Sequence, residues 1–76
     1  MNKQRRKKLS KIHDTLSDCS YDLEKVFAEE NEAIDNLPES LQDSKRAEGM
    51  RTASESIENA MYTLQDAIDS VREAMD

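Results

Sequence analysis

Turn formers are almost missing from this chain: one glycine, Gly49, one proline, Pro38, and no tryptophan in 76 residues. A sheet-rich domain joined by tight turns needs far more of both, so few and long elements are expected, and a mainly helical chain with them. Cysteine and histidine occur once each, as Cys19 and His13. A lone cysteine closes no disulfide within one chain, and one Cys with one His falls short of the four ligands of a structural zinc site. No metal and no cofactor is expected. No apolar run approaches the roughly 20 residues that span a bilayer. The basic start is not followed by the hydrophobic core of a signal peptide, so a cytoplasmic protein is expected. A nucleophile–base pair, a Gly-rich phosphate loop and a metal motif are also missing, and the chain does not read as an enzyme.

Apolar residues are scarce as well. At 36% hydrophobic and 37% charged, a single copy has little to bury, and domains of this size are marginal for that reason. Self-association is therefore expected. The charge is divided unevenly. Lys3, Arg5, Arg6, Lys7, Lys8 and Lys11 give residues 1–11 a net +6 with no acid; the whole chain is −6, so residues 12–76 carry −12.

The apolar residues that are present recur three and four apart: Leu9, Ile12, Leu16, Cys19, Leu23, Val26, Phe27, Ala33, Ile34 and Leu37. That spacing predicts an amphipathic helix with a heptad-like seam, on which Cys19 reads as a buried core residue. Glu30 interrupts the seam and reads as a register-setting polar residue or a site. A second helix carries two rows spaced by seven: Met50, Ile57, Leu64 and Val71, and Ala53, Ala60, Ala67 and Ala74. The alanine row reads as a packing face that lets a neighbouring backbone come close. The expected fold is all-α and a single domain over 1–76: helix about 3–36, corner 37–43, helix about 44–75. The short connection makes the helices antiparallel. Phe27 and Ile34, with Met61, Ile68 and Met75, are expected to stay open beside the seam. Pairing of hairpins, into a dimeric four-helix bundle or a higher symmetric oligomer, would cover them. The basic start of the first helix should lie beside Asp66, Asp69, Glu73 and Asp76, each offsetting the other's unfavourable dipole interaction.

The corner, "NLPESLQDSKRAEGM", reads first as a helix stop and restart. Pro38 suits the first position of a new turn, and Ser40 with Asp43 has the spacing of a capping box. Lys45, Arg46 and Arg51 then gather near the start of the second helix, where free backbone N–H groups and the dipole favour an anion. Gly49 would be explained by close helix contact or approach of a ligand. The bland alternative is a solvated basic face balancing Glu39, Asp43 and Glu48. Ser40, Gln42 and Ser44 are candidates for polar contacts to a ligand. Tyr21 and Tyr62 lie off the seam, where an aromatic ring either stacks on a base or simply covers the surface.

The segments "MNKQRRKKLSKI", "NLPESLQDS" and "IENAMYTLQDAIDSVREAM" resemble a group of small acidic helical-hairpin proteins encoded by bacteriophages and mobile elements of Gram-positive bacteria. The likeness covers nearly the whole chain, and its specificity lies in the "LPESLQ" corner. The resemblance implies an accessory gene product, and small phage proteins of this type commonly counter host defences. Two routes fit these residues. One is sequestration of a nucleotide immune signal by a homo-oligomer, with Lys45, Arg46 and Arg51 or the N-terminal cluster on phosphates and a tyrosine on the base. The other is mimicry of nucleic acid by rows of acids such as Asp18, Asp22 and Glu29, which would occupy a host protein. A plain coiled-coil adaptor is a third. Direct nucleic-acid binding is not expected of a body at −12.

Overall fold

The computed structural model describes residues 1–76 as two long helices and a short 3-10 turn. Helix α1 runs Lys3–Asp35, the turn Glu39–Leu41, and α2 Lys45–Met75. They lie side by side as a rod of 59 × 14 × 13 Å. No helix is long and apolar enough to cross a membrane.

Each helix begins on a polar cap. The Asn2 side chain accepts from the Arg5 backbone N–H at 2.8 Å. For α2 the cap is Ser44, whose Oγ accepts from the Ala47 N–H at 3.2 Å and donates to the Leu41 carbonyl. This corrects the capping box expected of Ser40 and Asp43. Pro38, with φ −54°, sets up the 3-10 turn that contains Ser40, so the new α-helix starts only after that turn is complete. Ser44→Ala is expected to cost about 1 kcal/mol, read as a fall in melting temperature of roughly 4–8 °C. A melting curve unchanged within a degree or so would remove the cap from the account.

Helix α1 ends because the residue before proline is pushed out of the helical region. The helix end is tied off by the Asn36 and Leu37 N–H groups on Glu32 O and Ile34 O and by the Gln42 amide, which donates to Ile34 O and Leu37 O, both at 3.0 Å. No residue has positive φ, so the corner needs no glycine. Gly49 sits inside α2, and a Cβ built there meets nothing within 4 Å. Close contact with α1 therefore does not account for it. Gly49→Ala should raise stability by about 0.5–1 kcal/mol, the ordinary gain for a helix interior. A loss on thermal melting would mean that another molecule approaches the backbone at this point.

The helices meet along Leu9, Leu16, Leu23, Phe27 and Ile34 on α1 and Met50, Ile57, Met61, Leu64, Ile68, Val71 and Met75 on α2, nearly all half-buried. Of the apolar residues only Ala47 and Ile68 are fully buried. One polar layer crosses the seam, where Ser54 Oγ donates to Asn31 Oδ1 at 2.7 Å, next to half-buried Glu30. Near the open end Arg72 Nη2 meets His13 Nε2 at 3.3 Å.

Two expectations are overturned by this packing, and the place of the alanine row is fixed by it. Phe27, Ile34, Met61, Ile68 and Met75 face inward and are covered by the hairpin itself. Cys19 is exposed, along with Ile12, Val26 and Ala33. Of the alanine row, Ala53, Ala60 and Ala74 are exposed and Ala67 is half-buried, so that row is not the contact between α1 and α2. One physical cause covers all three. In an antiparallel pair, the rows four residues beyond each seam lie on one side and the rows three beyond lie on the other. On α2 the first kind holds Met61, Ile68 and Met75, and the second holds only alanine. Turning the large α2 residues inward draws Phe27 and Ile34 in with them and leaves Cys19 and its row outside.

Candidate functional site

Two groups of basic residues stand at opposite ends of the rod. At the corner, Lys45 and Arg46 occupy the first turn of α2, both exposed and with no carboxylate within 4 Å. A cation is unfavourable at the positive end of a helix dipole. Arg51 differs: its Nη2 donates to Gln42 Oε1 at 3.0 Å, so this guanidinium and the Gln42 amide are engaged in holding the corner. Ser44 is likewise occupied as the cap, while Ser40 is exposed in the 3-10 turn.

The three basic side chains do not converge within one chain. Successive helix residues are about 100° apart around the axis, so Arg46 and Arg51 leave α2 some 140° from each other. Tyr62 lies a further 11 residues on, about 16 Å along the helix. The tyrosines are thus near the middle of the rod, away from the corner. Both are exposed; Lys25 Nζ sits 4.5 Å from the centroid of the Tyr21 ring. Tyr62 borders a groove between the helices of about 180 Å³, with Ser20, Glu24, Met61 and Gln65.

At the open end the first turn of α1 contains no acid. Lys3, Gln4, Arg6, Lys7 and Ser10 line a broad concavity of about 630 Å³. Arg6 Nε donates to the Met75 carbonyl at 3.0 Å. The expected charge offset between α1 and the acidic end of α2 thus takes the form of a guanidinium on a helix-terminal carbonyl; no lysine or arginine pairs with a carboxylate within 4 Å. The sequence offers this N-terminal cluster as an alternative phosphate contact to Lys45, Arg46 and Arg51. Its signal was present in the basic block, and Asn2 capping is what makes the block helical.

No group of three or more His, Cys, Asp or Glu side chains is placed to hold a metal ion. The arrangement sets exposed arginine and lysine at two helix N-termini, where free backbone N–H groups and the dipole favour an anion. Against protein-family models, curated proteins and solved structures, the chain finds no match.

Proposed function

We propose that this chain is a non-enzymatic accessory protein that binds a nucleotide as a homo-oligomer, in the manner of a phage protein that sequesters a host immune signal. The observation that carries the reading is the pair Lys45 and Arg46, held exposed and without a carboxylate partner at the start of α2. Bound phosphate would relieve their repulsion from the helix dipole and use both the free N–H groups and the charges. Because Arg46 and Arg51 diverge, one chain presents only part of a pocket, which agrees with binding by an oligomer. The phage-type origin rests on the resemblance of the "LPESLQ" corner.

Isothermal titration against a panel of cyclic and linear nucleotides tests this. Saturable binding that weakens with salt is expected from phosphate contacts; no heat across the panel would withdraw the reading. Mimicry of nucleic acid is the second reading, favoured by the exposure of Asp18, Asp22 and Glu29. It would show instead as a host-protein complex lost when these three are reversed in charge, with a changed corner tolerated.

A further inference from the structure

One face of the rod is unpartnered. The groove beside Tyr62 and the pairs Asn31–Ser54 and His13–Arg72 all lie on the side of the rows four residues beyond the seam, whose large residues Phe27, Ile34, Met61 and Ile68 are already half-buried or buried. The opposite side is formed by the rows three residues beyond. It carries Ile12, Cys19, Val26 and Ala33 from α1, with Ile12 and Val26 47% and 48% exposed. The alanine row of α2 runs alongside.

The two rows are level with each other. His13 meets Arg72 and Asn31 meets Ser54, so each step along α1 towards the corner matches a step back along α2. On that register, to about one residue, Ile12 lies beside Ala74, Cys19 beside Ala67, Val26 beside Ala60 and Ala33 beside Ala53. The result is one strip, with branched Ile12 and Val26 alternating with small Cys19 and Ala33 on the α1 side and alanine alone on the α2 side. Because both rows repeat every seven residues, the strip keeps to one face as the helices coil about each other.

We propose that a second copy of this chain docks on this strip with its ends reversed, making an antiparallel dimer of hairpins. Three observations select that occupant and that orientation. The rod presents a face about 59 Å long and 14 Å wide, against the roughly 800 Å² per partner that a stable interface buries. The strip is self-complementary under a two-fold axis across its middle, which sets α1 against α1 and lets the alanine rows approach closely. Charge then fixes the direction. The open end, residues 1–11 with 66–76, carries seven basic and four acidic side chains; the corner end, residues 29–55, carries three and eight. Reversed pairing sets the positive end of each copy on the negative end of the other, whereas corner-to-corner pairing gathers like charge at both ends. Arg5 and Arg46 extend the two rows by one further heptad step, so reversal also brings Arg5 of one copy and Arg46 of the other to the same end.

The inference takes from the proposed function only that the chain self-associates, and it is tested without any nucleotide. In a Cys19→Ala background, Glu39→Cys in the corner carries a spin label. The reversed dimer predicts a label-to-label distance of about 50 Å, close to the 59 Å length of the rod. A short distance, on the order of 15 Å as for helices packed corner to corner, or a monomer mass for the unlabelled wild type, would overturn it. Tyr21→Lys, outside the strip, keeps the wild-type mass in this account and separates loss of the strip from any added charge. A dimer lost on Tyr21→Lys and kept on Ile12→Lys would place the interface on the other face.

Discussion

Val26→Lys converts the oligomer to monomers and lowers the melting temperature by some 10 °C or more, with each kcal/mol worth roughly 4–8 °C in a chain of this size. The lone hairpin covers little. Ala47 and Ile68 are its only fully buried apolar residues, a core too thin to hold two helices of 33 and 31 residues against their conformational entropy. In the proposed dimer, much of the stabilisation comes from the strip on which Val26 stands. A lysine there would place unpaired ammonium groups in the middle of an apolar interface, which costs several kcal/mol unless the copies separate. Separation is the cheaper course, and the free hairpin then frays. In sedimentation the mass falls to the 8.7 kDa of one chain, and circular dichroism shows a transition that no longer depends on protein concentration. An unchanged mass would mean that the strip is simply solvated surface.

Arg46→Ala is expected to weaken nucleotide binding at least tenfold, because a hydrogen bond to a charged partner contributes about 1.5–3 kcal/mol. Its effect on stability should be small or favourable, since a cation leaves the positive end of the α2 dipole. The mass in solution should not change. Arg51→Ala is the instructive contrast. That guanidinium is already bonded to Gln42, so its loss should loosen the corner as well as the ligand, and melting and binding should fall together. Binding retained by Arg46→Ala would remove the corner as an anion site.

Much of this architecture is legible from residue order alone. The heptad rows, Asn36 and Pro38 mark two helices and a corner whose bounds lie within a residue or so of those observed. The side of the seam that faces inward was not legible on α1. There Ile12, Cys19 and Val26 are more apolar than the opposing row of His13, Ser20, Phe27 and Ile34, and hydrophobicity taken one helix at a time chooses the wrong one. The choice is made on α2, where only one flanking row is large, and antiparallel geometry passes it to α1. The cap was hidden for a related reason. Ser40 and Ser44 both have the chemistry, and only the 3-10 turn after Pro38 decides between them. At the candidate site the residue types were visible, whereas the engagement of Arg51, Gln42 and Ser44 within the corner depends on distances that spacing does not show.

Native mass spectrometry of the protein with a nucleotide panel reads assembly and ligand in one spectrum. The account predicts a species of at least two 8.7 kDa chains carrying nucleotide, with the nucleotide lost and the assembly kept on Arg46→Ala. A bare single chain at every nucleotide concentration would contradict it.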